Sequence, residues 1–300
     1  MTSYFVLQVL NGLVTGLIYA LIAAGLTIIF SVLKIVNFGH GALYMIGGYA
    51  GYYAIHLLGV PPLFAVLVAM AATFVLGVIF ERLMLAPLYT NKVDRKDEYA
   101  TIVTFALFML LENAAIVSFG PFNKRPPSFT DASLHVGMLT ITGDRLVAAG
   151  MAALLLIGLS LFMQRTSLGQ ALDAVSQNRD AAAIIGIDAK RMFTTAFGLG
   201  AALAGGAGAL IAPIFTLSPS MGDLPSVQAY IIVVLGGMGS VPGSIIGGML
   251  LGIVEALGVG YYPDPNRALA YSNAFGALLL IITLLVRPTG LFGRAHVRME

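Results

Sequence analysis

Two carboxylates stand where carboxylates are costly. Glu112 and Glu255 each lie inside a long apolar run of this 300-residue chain. An isolated charge at the centre of a membrane helix costs on the order of 2.5–3.5 kcal/mol on insertion scales. Each is therefore expected to be protonated, hydrogen-bonded to another helix, or turned toward a water-filled cavity. Asn113 follows Glu112 and can share its hydrogen bonds. Glu255 lies one position off a stripe of small residues (Gly248, Gly252, Ala256, Gly260) and should face a bundle interior. The chemistry is either structural, as inter-helix hydrogen bonds, or a translocation and gating role. A proton relay through Glu112 or Glu255 would make the chain a secondary transporter.

Two glycine-broken segments are the other candidates. Asn37-Phe38-Gly39-His40-Gly41 separates the first apolar run from a short second one, and Gly236-Gly237-Met238-Gly239-Ser240-Val241-Pro242-Gly243 separates two short runs in the second half. Broken hydrophobic segments at comparable places in two halves point to a transport pathway. Irregular backbone there is tolerable only against protein or water. The alternative is a tight turn at the membrane surface. Asn37, Phe38, Gly39, His40, Gly41, Gly237 and Gly239 thus join Glu112 and Glu255 as candidate path residues.

Other chemistries lack their residues. The four histidines are scattered, no HExxH occurs, and no Gly-Lys pair exists to make a phosphate-binding loop. There is no cysteine, hence no disulfide or thiolate site. We expect no catalytic site, metal site or cofactor, and a net charge of +2 gives no reason to expect nucleic acid. If ATP drives transport, another subunit must hold it.

The elements that position these residues follow from composition. The chain is 58% hydrophobic and 10% charged, with a mean hydropathy of +0.92. Soluble domains run about 45–50% apolar and about 25% charged, so the bilayer must be the solvent. Apolar segments stand near 7–32, 41–58, 62–86, 100–119, 146–163, 192–215, 225–241, 243–260 and 269–286. Those at 41–58, 225–241 and 243–260 are short or glycine-interrupted, so the count is eight or nine. The first 33 residues hold no Lys or Arg, so the first run reads as a retained helix rather than a cleaved signal. Tyr4, Tyr89, Tyr99, Tyr261 and Tyr262 fall near span ends, as an interfacial belt does. With nine segments and 165–191 inside, only Lys124, Arg125, Arg145 and Arg267 of the sixteen basic residues lie outside. Lys34, Arg82, Lys92, Arg95, Lys96, Arg294 and Arg298 are among the twelve inside. The N-terminus is then periplasmic and the C-terminus cytoplasmic.

Small residues also recur every fourth position at Gly12, Gly16, Ala20 and Ala24, and at Gly198, Ala202 and Gly206. Such stripes let helices approach closely in lipid. The segment 120–145 reads as an extracytoplasmic loop, with strand character at Val136, Leu139 and Ile141 and a turn at Gly143-Asp144. The segment 165–191 reads as cytoplasmic. Leu168, Ala171, Leu172 and Val175 follow an amphipathic helix. Asn178 can cap a short second helix that Gly186 stops, and Asp188 can cap the next. A short alanine-surfaced helix suits insertion into another protein's groove.

Arg179-Asp180-Ala181-Ala182-Ala183 with Gly186 resembles the cytoplasmic coupling segment of bacterial ABC importer permeases. Asn37 to Ala42, Val234 to Gly243 and the Gly247–Glu255 run are similar to the branched-chain amino acid permease family, in its shorter N-terminal-type member. The resemblance implies one all-α transmembrane domain over 1–300, with interrupted helices and a coupling-helix loop. It implies an inner-membrane subunit working with a second homologous permease, two cytosolic ATPases and a periplasmic substrate-binding protein. It assigns Arg179, Asp180, Ala181, Ala182, Ala183 and Gly186 to the ATPase contact. Permeases for urea and short amides belong to the same family, so the substrate is branched-chain or related amino acids, or an amide.

Overall fold

The computed structural model describes residues 2–89, 93–136 and 139–293. Lys92, Arg294 and Arg298 lie outside them. Helix α1 (Thr2–Leu33) is followed by α2 (His40–Leu58) and α3 (Pro62–Phe80), which continues as a π-helical turn to Leu85 and a 3₁₀ turn to Tyr89. Helix α4 (Lys96–Phe119) leads to an antiparallel hairpin of β1 (Ser133–Val136) and β2 (Leu139–Thr142). Then come α5 (Gly143–Arg165), α6 (Ser167–Gln177), α7 (Arg179–Ile184), α8 (Ala189–Ile211), α9 (Asp223–Gly236), α10 (Val241–Gly260), the single turn α11 (Pro265–Ala268) and α12 (Ser272–Val286). Apart from the hairpin the described chain is helical.

A helix stands at each of the nine apolar segments. Among the described residues six are long and apolar enough to cross a membrane: α1, α3 with its continuation, α4, α5, α8 and α10. Helices α9 and α12 are apolar but shorter. Local chemistry sets the boundaries. Pro62 opens α3 from Pro61, where a missing N–H costs nothing. Asn178 Oδ1 accepts from the N–H groups of Asp180 and Ala181, and Asp188 Oδ1 from those of Lys190 and Arg191. Gly143-Asp144 is not a turn. It opens α5, where Asp144 Oδ1 accepts the Phe129 N–H at 2.7 Å and ties the loop down.

The stripes on α1 and α10 face each other. A side chain at Gly12 or Gly16 would strike the backbone at Gly252–Ile253 or Gly248–Met249, and one at Gly248 would strike Ala20. The two helices run antiparallel at backbone contact from the Thr27–Ser244 hydroxyl pair (2.5 Å) to the Tyr4 hydroxyl on the Gly260 carbonyl (2.8 Å). Helix α8 packs the 198/206 stripe on Phe74, Val78 and Met70 of α3, and Gly200 on Gly25 of α1. It is the buried centre of the bundle.

Two connections do not stay at the surface. Helix α1 ends at Leu33, where Lys34 takes a left-handed φ of 59° and reverses the chain. By His40 the chain has returned alongside α1, where the imidazole Nε2 meets the Ile22 carbonyl at 2.9 Å. Ile22 is eleven residues, about 16 Å, from the end of α1. Helix α2 therefore starts deep in the bundle. The chain after α8 does the same from the other end. Leu217 pairs with Lys124 through backbone bonds of 2.8 and 2.9 Å, Met221 lies by Gly48, and Gly222 abuts Gly41. Helices α2 and α9 thus begin head to head inside the molecule and leave in opposite directions.

Replacing Gly252 by Leu is expected to force α1 and α10 apart. Overpacking of this kind costs about 1–3 kcal/mol. The check is thermal denaturation of detergent-purified protein, in which Gly252→Leu should melt well below wild type while the exposed Gly150→Leu, which meets nothing within 4 Å, stays near it.

Candidate functional site

The irregular backbone between α1 and α2 is held by bonds gathered from several elements. Asn37 Oδ1 accepts the Gly39 N–H (3.1 Å), Thr104 Oγ1 of α4 accepts the Phe38 N–H (3.2 Å), and the Tyr230 hydroxyl of α9 donates to the Asn37 carbonyl (2.6 Å). Asn37 and His40 are fully buried. Gly39 packs on Leu107, and Gly41 on Gly222 and Ser226. Phe38 is 38% exposed and lies against the Tyr230 ring, 5.6 Å between centroids.

The second glycine-broken segment sits elsewhere. Gly237 and Gly239 take φ of 98° and 93°, which only glycine adopts without strain, and they make the tight turn from α9 into α10. That turn lies at the end of the bundle where α1 finishes, with Gly239 facing Ser31 and Gly237 packed on Gly293. The structural counterpart of Asn37–Gly41 is instead residues 212–222. Pro213, Pro219 and Gly222 were the available signal, masked by the mostly apolar run Ile211 to Leu217 around the first of them.

The two membrane carboxylates are not together. Glu255 is buried, accepts a hydrogen bond from Gln228 of α9, and has the hydroxyls of Tyr19 of α1 and Ser272 of α12 nearby. The Gln228 Nε2–H groups reach both Glu255 Oε1 (2.5 Å) and Asn273 Oδ1 (2.8 Å). This is a polar hub joining four helices. Glu112 is half-buried on α4 and has Asp223 of α9 as its charged neighbour. Asn113 does not share its bonds, since its Nδ2 donates to the Met109 carbonyl at 2.7 Å.

Glu112 belongs to a strip. On α9, Asp223, Val227 and Tyr230 follow helical spacing on one side and are exposed or half-buried. On α4, Phe105, Phe108 and Glu112 do likewise. Phe38 packs on Tyr230, and a separate open cavity of about 420 Å³ between α2 and the end of α4 is lined by Tyr49, Tyr53 and Phe119. The strip combines aromatic surface with two carboxylates.

At the other end, α7 is anchored from within. The Arg179 guanidinium donates to the carbonyls of Val32 (3.3 Å) and Leu33 (2.8 Å) and lies 4.8 Å from the centroid of the Phe193 ring. Partial burial, then the Arg179 charge, lower the pKa of the neighbouring Lys34. Ala182 faces inward and is buried, while Asp180, Ala181, Ala183 and Gly186 are exposed. Sequence reasoning passed over the most exposed apolar pair, Ile184 (86%) and Ile185 (73%). Gly186, with φ of 86°, stops the helix just beyond them.

Comparison with known proteins places this geometry. The chain is 33% identical to the high-affinity branched-chain amino acid transport system permease protein BraD of Pseudomonas aeruginosa, over 98% of this chain and 97% of that one. It is 30% identical to the corresponding permease protein LivM of Escherichia coli K12, over 95% of this chain but 70% of LivM. The fold matches a solved chain of PsaBC from Streptococcus pneumoniae in complex with Fab, with a TM-score of 0.52, 14% identity and coverage of 96% and 97%. The family model described as branched-chain amino acid transport system / permease component matches residues 8–284. With its apolar helices this makes the chain a multi-pass membrane protein, and it belongs to the branched-chain amino acid transport permease family.

Proposed function

We propose that this chain is the shorter of two permease subunits in an ATP-driven importer of branched-chain or closely related amino acids in a bacterial inner membrane. Identity of 33% to BraD against 30% to LivM supports the shorter class. Nine membrane-embedded segments form one domain over 1–300, with the N-terminus periplasmic and the C-terminus cytoplasmic. The loop 120–145 is periplasmic and faces a substrate-binding protein, and 165–191 is cytoplasmic and faces one of two ATPases.

The observation that carries this reading is the strip Glu112–Asp223–Val227–Tyr230–Phe38. Two carboxylates on a lipid-facing surface are costly, so the strip calls for cover by a second permease, with a water-filled path between the two. Such a path would use binding energy from aromatic surface for aliphatic side chains and from carboxylates for an ammonium group. Glu255 already accepts a bond from Gln228, has two hydroxyls close by and lies off the strip, so a proton-coupled carrier built on it is not favoured.

For the ATPase contact, the exposed Ile184–Ile185 pair with Asp180, Ala181, Ala183 and Gly186 forms the docking surface, and Arg179 and Ala182 brace it from behind. Ile184→Asp with Ile185→Asp is expected to lower ATPase co-purification and uptake by an order of magnitude or more while membrane levels stay normal. Undiminished co-purification would reduce α7 to a linker.

Orientation has its own check. The chain lacks cysteine, so single cysteines at Ser133 and Gln177 report cleanly. Position 133 should react with an impermeant thiol reagent in intact cells, and position 177 only after the membrane is opened.

The buried hub separates ATP-driven from proton-driven transport. Glu255→Gln keeps the volume and one carbonyl acceptor and should leave uptake within a few-fold of wild type. Glu255→Leu leaves buried donors unpaired and should destabilise by about 1–3 kcal/mol. Loss of proton-dependent uptake in a normally folded Glu255→Gln protein would revive the carrier.

A further inference from the structure

The head-to-head start of α2 and α9 leaves polar groups that the fold does not use. Buried polar atoms are normally hydrogen-bonded, roughly nine in ten or more. Asn37 Nδ2, His40 Nδ1 and Ser226 Oγ are buried without a partner, and all three belong to this one junction. Ser226 is on the first turn of α9 and its hydroxyl lies where a side chain at Gly41 would be, against the first turn of α2. His40 Nε2 faces a carbonyl, which can only accept, so Nε2 carries the proton and Nδ1 of the neutral ring is an acceptor. The unused set is therefore two donors and one acceptor.

The backbone adds to the same demand. Neither α2 nor α9 has a side-chain cap at its N-terminus. Each helix presents about half a positive charge there, and here the two ends abut through Gly41 and Gly222. Asp223 in the first turn of α9 offsets part of this, while α2 has no acidic residue in its first turn. Two positive helix ends with spare donors suit a carboxylate, and the spare imidazole acceptor suits an ammonium.

We propose that the α2–α9 junction is a subsite for the charged backbone of a zwitterionic amino acid, with Ser226 and Asn37 donating to its carboxylate and the Phe38–Tyr230 ring pair closing it off from the strip. This rests on the importer reading above. In this structure the junction is closed, since Gly41 and Gly222 abut with no room even for a methyl group; the subsite forms only when the starts of α2 and α9 part, which requires the Tyr230 bond to the Asn37 carbonyl to break.

The test uses the complete importer in proteoliposomes, with L-leucine as the probe, uptake following ATP addition, and thermal stability of the purified complex measured in parallel. Removing an unpartnered buried hydroxyl relieves a desolvation penalty, so Ser226→Ala should be as stable as wild type or more so. A residue that only packs would then transport normally. The subsite predicts that uptake instead falls roughly tenfold or more, the loss that follows from one hydrogen bond to a charged group. Ser226→Cys, nearly isosteric but a weaker donor, should fall between the two and replaces the alanine variant if that one fails to assemble. Wild-type uptake by a stable Ser226→Ala complex overturns the subsite alone. Absence of ATP-driven uptake by the wild-type complex overturns the importer reading instead.

Discussion

Backbone that leaves the helical form inside a bilayer must find its hydrogen bonds within the protein. Residues 34–39 and 212–222 both leave it, and the arrangement of the bundle answers that requirement. The first excursion is satisfied by its own Asn37, by Thr104 of α4 and by Tyr230 of α9, and the second is tied to Lys124 of the loop after α4. Glycines then let the two excursions meet. A methyl group at Gly41 or Gly222 would enter the other's backbone, so α2 and α9 can start from the same point only because neither has a side chain there. Helix α8 is glycine-rich for a related reason, since it is enclosed by α1, α2 and α3 at once.

Much of this was legible in the residues. Capping by Asn178 and Asp188 and the small-residue stripes act within one or two turns, and such local chemistry is what a sequence displays. The break at Asn37–Gly41 was visible because polar Asn37 and His40 interrupt an apolar run. Its counterpart was not. Pro213 is flanked by Ile211, Ala212, Ile214 and Phe215, so hydropathy runs through the point where the helix ends, whereas the better-marked glycines at 236–243 make the turn between α9 and α10. Orientation of α7 was also hidden. An alanine can face protein or water with little change in local pattern, and only packing on the bundle decides that Ala182 is inside while Ile184 and Ile185 are out.

The two membrane carboxylates show how identical chemistry is divided by surroundings. Glu255 is approached from three helices by groups able to donate to it, Gln228 of α9 through a hydrogen bond and Tyr19 and Ser272 as neighbours, and these are the donors that a buried carboxylate requires. Glu112 has a second carboxylate beside it and open surface in front. Like charges in a poorly solvated place are unfavourable together, so this pair has a standing demand for a cation or for water. One glutamate completes the fold, and the other leaves it incomplete on the face where the bundle lacks cover.

The same incompleteness connects the ends of the molecule. Arg179 is bonded to the last two carbonyls of α1, four and five residues before Asn37. From there the chain has no freedom to absorb movement gradually: Lys34 is held in a left-handed conformation, Asn37 is gripped by Tyr230, and His40 is bonded back to α1. A displacement of α7 relative to α1 would have to break the guanidinium contacts or pull on this short, tethered segment. The segment carries Phe38, packed on the Tyr230 ring, so the shortest physical route from α7 to the buried polar groups is about a dozen atoms of backbone beyond one arginine. Cores and interfaces of this density are bistable rather than elastic, and a switch at α7 would be felt at Asn37 as a change of partner rather than as a small strain.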